Sequence, residues 1–123
     1  MNLEIRSIKD AGSLTHERLV LKVLKDCDIG HYFVFKSIYM DDNNISTAID
    51  QPFWFPDLSV KTGDLVVVYS KRGIQSQVAN KNGLTTHFLY RGLDQAIWNN
   101  ARECAVVFEI ADWVAKRNNA NQE

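Results

Sequence analysis

The chain has 123 residues, 46% apolar, 24% charged and 11% aromatic, a composition that suits one globular domain and excludes intrinsic disorder. Fourteen basic residues against fifteen acidic ones leave a formal net charge of -1, so the chain is no general polyanion or membrane-surface binder, though a local basic patch stays open. No apolar run approaches the roughly 18 residues that span a bilayer. The first ten residues carry Glu4, Arg6, Lys9 and Asp10 and lack the apolar stretch of a secretory leader, so a cytoplasmic protein without membrane association is expected.

In chain order, Leu3, Ile5 and Ile8 predict a first strand, ended by a turn at Asp10-Ala11-Gly12-Ser13. Leu19, Leu21 and Val23 alternate with Arg18, Val20 and Lys22, the period of two of a half-buried strand. Residues 26–30 read as a turn, and residues 32–39, apolar at nearly every position, as a second long strand. Asp41-Asp42-Asn43-Asn44 is a turn, because Asx side chains bond nearby backbone. Phe53-Trp54-Phe55 lies between Pro52 and Pro56, which restricts it to a sheet edge or a short strand, with Trp54 filling one end of the core. After a turn at 61–64, Leu65-Val66-Val67-Val68-Tyr69 is the plainest strand of the chain.

Residues 71–86 hold two glycines and several amides and predict a long irregular loop, followed by a short strand at 87–90. Residues 93–103 could include one helical turn with Asp94 as its N-cap. Residues 104–110 form the last strand, and residues 116–123 a polar, frayed tail. Cys27 and Cys104 lie beside strand-like runs, with no C-x-x-C, and are expected to be reduced and buried. Many short strands without helical stripes predict an all-β sandwich or barrel with at most one short helical turn. Strands apolar on both faces favour a two-sheet sandwich over residues 1–112, with 113–123 as its tail.

Three short motifs carry a resemblance over about two thirds of the chain, from Asp28 through Ile110. They are Asp28-Ile29-Gly30 leading into Tyr32-Phe33-Val34-Phe35, the stretch Val60-Lys61-Thr62-Gly63-Asp64 before Leu65 to Tyr69, and Asn99-Asn100 leading to Ala105-Val106-Val107-Phe108. Together they resemble the lamin-tail type of immunoglobulin-like β-sandwich. The blocks Phe53-Trp54-Phe55-Pro56 and Thr85-Thr86-His87-Phe88 depart from lamin tails in general and look more like a small bacterial offshoot. The resemblance implies the fold and a tendency to bind proteins or nucleic acid. It implies no catalytic residue.

No G-x-S-x-G, Walker loop, G-x-G-x-x-G or H-E-x-x-H occurs. Cys27 and His31 are four apart but lack an orienting group for the imidazole. Asp41 and Asp42 lack the spacing of an EF-hand, and a solvated turn accounts for them. No cofactor and no metal are expected. His87 sits where the long loop re-enters the sheet, and the plain account is a ring bonded to loop backbone. Lys71, Arg72, Lys81 and Arg91 lie in or beside that loop, with Tyr90 and Trp98 close in sequence. Cations and aromatics at the end of a sandwich suit a binding surface. The chain is therefore expected to be a binding or interaction module that contacts its ligand through the region 71–91. A protein partner is the first expectation; weak nucleic-acid binding through Lys71, Arg72, Lys81 and Arg91 is one alternative. A small hydrolase using His87 with Asp94 is the other. Trp113, beside the polar tail, is the candidate for packing on a partner chain or a second copy.

Overall fold

The computed structural model describes residues 1–119. The expected tail at 116–123 falls partly within them; its last four residues lie outside. Ten strands form in chain order: β1 Leu3–Lys9, β2 Arg18–Val23, β3 Cys27–Asp28, β4 Tyr32–Ile38, β5 Asp50–Trp54, β6 Ser59–Val60, β7 Leu65–Tyr69, β8 Ser76–Ala79, β9 Thr85–Tyr90 and β10 Glu103–Glu109. A single 3-10 turn, Ile29–His31, separates β3 from β4. The strands make a five-stranded sheet in the order β1-β2-β7-β9-β8, a three-stranded sheet β10-β4-β5 and a two-stranded ribbon β3-β6. The architecture is an all-β sandwich, as the alternation predicts. No helix among the described residues is long and apolar enough to cross a membrane.

The alternation in β2 sets the core. Leu19, Leu21 and Val23 point inward, and their partners Val68 and Val66 on β7 do the same across the antiparallel register. Leu89 of β9 extends this face of the large sheet, and Tyr32 and Val34 of β4 with Phe55 after β5 complete the cluster from the other side. Each fully buried branched or aromatic side chain contributes about 1.5–3 kcal/mol through water exclusion. The expected role of Trp54 as core filler is corrected here. Phe53 packs on the core and Phe55 is buried within it, so strand alternation turns Trp54 outward, 49% exposed.

Two further corrections concern the second half of the chain. The region 71–86 is not wholly irregular, because β8 pairs antiparallel with β9 inside it. All four β8 residues are exposed, so no apolar face betrays the strand. The excursion that contains β8 lets β9 run parallel to β7, the sole parallel pairing among the named strands. The helical turn at 93–103 does not form, and Asp94 caps nothing there. Its backbone donors bond elsewhere: Leu93 N–H to the Ser70 carbonyl at 2.8 Å, Ile97 N–H to the Glu17 carboxyl at 2.9 Å, and Asn99 and Asn100 N–H to Glu103 at 2.6 and 2.9 Å. Acceptors fixed beside the ends of β2 and β7, and the Glu103 carboxyl at the end of the segment, outcompete an i to i-4 ladder that a single turn would barely nucleate.

Glu17 holds this arrangement. Its side chain is fully buried and accepts from Gly12 N–H at 3.0 Å, from Ile97 N–H and from the Ser70 hydroxyl. The turn between β1 and β2, the exit of β7 and the segment before β10 therefore meet on one carboxyl group. Lys36 and Glu103 make a second, part-buried link at 2.6 Å, and Lys36 also donates to the Ile97 carbonyl. Burial pushes the Glu103 carboxyl up, but Lys36 and the two asparagine amides outweigh it and hold it below the usual range. Glu17→Ala strands two buried donors, on Ser70 and Ile97, and a part-buried one on Gly12, and is expected to lower unfolding free energy by about 3 kcal/mol or more, read by urea denaturation at neutral pH. A loss under about 1 kcal/mol would mean the segment is held some other way.

Candidate functional site

Because Val66, Val68 and Leu89 face the core, the alternate residues Val67, Tyr69, Phe88 and Tyr90 project from the opposite face of the large sheet. The register aligns Lys9 with Arg18, Arg18 with Tyr69, and Tyr69 with Tyr90 in one row across four strands. The two tyrosine rings stack, with centroids 5.4 Å apart and planes 10° from parallel, and Phe88 lies 6.4 Å from Tyr69. Lys71 Nζ sits 4.8 Å from the Tyr69 ring centre and the Arg18 guanidinium 5.9 Å from it. Both are within the roughly 6 Å over which a cation feels the ring quadrupole. Asp10 pairs with Arg18 at 2.6 Å, and Arg72 reaches the exposed Asp94 at 3.5 Å.

Gly73 shows how closely the chain after β7 hugs this row. A Cβ there would fall 2.3 Å from the Tyr90 ring, so only glycine lets the backbone lie across that face. Of the residues singled out in the sequence, Lys71, Arg72 and Tyr90 thus gather at one place. Arg18 and Tyr69 join them unforeseen; the row exists only once β2, β7 and β9 are placed side by side.

The others go elsewhere. Lys81 lies in the turn between β8 and β9, at the opposite end of β9 from Arg91, so the four basic residues do not share one face. Trp98 is 5% exposed, close under the β1–β2 turn, and presents no stacking surface. Trp113 meets Trp54 edge to face at 5.1 Å on the outer side of the small sheet. Arg91 follows β9 but turns inward: Nη2 donates to the Gln51 carbonyl and the guanidinium lies 5.3 Å from the Phe53 ring centre. Burial lowers its pKa, with the Glu17 charge opposing. Gln51 has a positive φ of 51° within a bulge, where Gln51 and Pro52 oppose the single residue Phe35 between paired positions of β4 and β5. Arg91 therefore props a strained edge.

His87 faces the core, 5% exposed, and its ring bonds the Asp64 carboxylate (Nε2 to Oδ2, 2.9 Å), not the loop backbone. Asp64 also accepts from the Lys61 and Thr85 amides, so it joins the turn before β7 to the start of β9. Burial pushes the Asp64 carboxyl up, but the His87 bond and the two amides prevail and hold it below the ordinary carboxylate value. The carboxylate partner is thus Asp64 and not Asp94. Both side chains of the pair are 6% exposed, and Nδ1 is buried without a partner, so no Ser, Thr or Cys is presented to the ring as a nucleophile. Cys27 and Cys104 are free thiols, part-buried, and burial pushes both up, away from the reactive thiolate. Among the described residues no group of three or more His, Cys, Asp or Glu side chains could hold a metal ion.

These placements can be measured in two ways. Arg91→Ala is expected to lower the melting temperature by several degrees, unlike an exposed substitution, which moves stability by less than about 0.5 kcal/mol. An unchanged melt would place the guanidinium in solvent. The second measurement is acid stability. A carboxylate depressed in the folded state stabilises above its unfolded pKa near 3.9, and that contribution disappears as pH falls through the folded value. Asp64→Asn is therefore expected to be less stable at neutral pH and to lose less on acidification below about pH 4 than the wild type. Parallel acid slopes in denaturant titrations would deny Asp64 this role. No protein-family model matches the chain, and no curated protein matches it in sequence.

Proposed function

We propose that the domain is a non-catalytic interaction module, a lamin-tail type of immunoglobulin-like sandwich, that docks an acidic protein surface on the outer row of its large sheet. The observation that carries the reading is the stacked Tyr69–Tyr90 pair, with Lys71 and Arg18 against the Tyr69 ring. Tyrosine and arginine are enriched where protein partners meet, because they offer area, a polar tip and little rotamer loss. Cations held over rings are pre-positioned for carboxylates and steer an acidic partner. The polar residues that a hydrolase would need are engaged in the interior, which supports a binding role over a catalytic one. Two free thiols suit a reducing compartment and support a cytoplasmic setting. The lamin-tail assignment rests on the Asp28 turn, whose carboxylate accepts from Gly30 and Leu58 amides, and on the Gly63-Asp64 turn into β7. The parallel β7–β9 pair is the feature that departs from an antiparallel sandwich.

The test compares quantitative co-purification by the full chain carrying Lys71→Glu with Arg72→Glu against one carrying Lys81→Glu, which lies at the far end of β9. The first is expected to lose most of its partners, by tenfold or more, with an unchanged melt, and the second to keep them. Equal partner recovery from both variants would contradict the assignment of this face.

A further inference from the structure

The small sheet carries a second surface feature, apart from the tyrosine row. Trp54 is half exposed, yet it is fixed, because its indole N–H donates to the Gly30 carbonyl at 2.8 Å. Trp113 stands against it at 88°, so the two rings form a corner. Between this corner and the chain at 30–31 and 110–112 lies a cleft of about 470 Å³. That is within the roughly 300–1,000 Å³ of small-molecule sites.

The charge in the cleft is one-sided. Asp57 and Asp112 line it, with His31 as the one basic side chain. Asp112 Oδ1 accepts from Trp113 N–H at 2.8 Å, and among the described residues no hydrogen-bond donor takes its other oxygen. Asp57 lies so close to the turn that a Cβ on Gly30 would fall 2.1 Å from its Oδ1, so glycine at 30 admits the carboxylate to the cleft wall. Aromatic faces are electron-rich and attract a cation within about 6 Å, most strongly for tryptophan. Carboxylates add to that attraction and repel anions. A neutral apolar ligand would gain ring contact but nothing from the two aspartates.

We propose that this cleft binds an alkylated ammonium group, with Trp54 and Trp113 as two walls of an aromatic cage and Asp57 and Asp112 as its counter-charge. The site shares no residue with the tyrosine row, so it stands or falls separately. The test is an NMR titration of the full chain with choline chloride, followed on the Trp54 indole N–H signal. The neutral isostere 3,3-dimethylbutan-1-ol serves as the comparison, at constant ionic strength. Choline is expected to shift the signal saturably, with the alcohol at least tenfold weaker. Trp113→Ala, at an exposed position, is expected to weaken choline about tenfold without changing the melt, and Asp57→Asn about fivefold. A third titration with N-acetyl-trimethyllysine amide separates the two sources of this group. Tighter binding than choline assigns the cation to a polypeptide, and weaker binding to a small molecule. No saturable shift with any of the cations, or equal binding of the alcohol, would overturn the proposal.

Discussion

A buried hydrogen-bonding group must find a partner inside the protein, and in this fold a single carboxyl group, that of Glu17, serves three separate segments. The first strand pair, the exit of β7 and the segment before β10 all bond to it. That last segment has no secondary structure of its own and dips inside at Ile97 and Trp98, where an irregular chain is tolerable only if its buried amides are satisfied. Glu17 and Glu103 accept three of the segment's amides, and Lys36 takes the Ile97 carbonyl. Removing a partner from such a link leaves a desolvated group behind, which costs more than the bond itself contributes.

Asp64 and His87 play the same part at the other end of the large sheet. The parallel pairing of β7 with β9 has no hairpin to fix its register, and the carboxylate bridges the two strands at their common start. The interior thereby uses up the chemistry-bearing residues that a sequence offers most visibly: a histidine, two glutamates and an aspartate. What stays accessible lies on the outer faces, where the tyrosine row crosses the large sheet and the tryptophan corner flanks the small one. Stability and the proposed recognition thus fall to different residues on opposite sides of the same strands, a separation that period-two alternation makes available at no cost in fold.

The strands that bury one face were legible in the sequence for that reason. Leu19, Leu21 and Val23 announce β2, and the apolar run at 65–69 announces β7. The edge strand β8 was not legible, because an exposed strand leaves no alternation, and Val78 in it is 53% exposed. The helical turn expected at 93–103 failed because propensity is local, whereas acceptors that capture the Leu93 and Ile97 amides come from the distant positions 70 and 17. At the candidate surface, Lys71, Arg72 and Tyr90 were readable as cations and an aromatic near one loop. Arg18 lies more than fifty residues earlier, and only strand register brings it to Tyr69. The burial of His87, Arg91 and Trp98 was hidden by the same limit: each is a polar or amphipathic side chain whose partner, or whose cover, comes from a distant segment.

The claim that the polar residues of the interior are structural, and that recognition is confined to the outer faces, can be tested by one labelling experiment. Diethyl pyrocarbonate modifies accessible imidazole, and the chain has three histidines, of which His16 and His31 are exposed and His87 is not. Mass spectrometry of the folded protein after brief labelling should find His16 and His31 modified and His87 protected until denaturant is added. Modification of His87 at the rate of His31 in the folded protein would contradict the claim, because the Asp64–His87 pair would then lie open to solvent and to substrate.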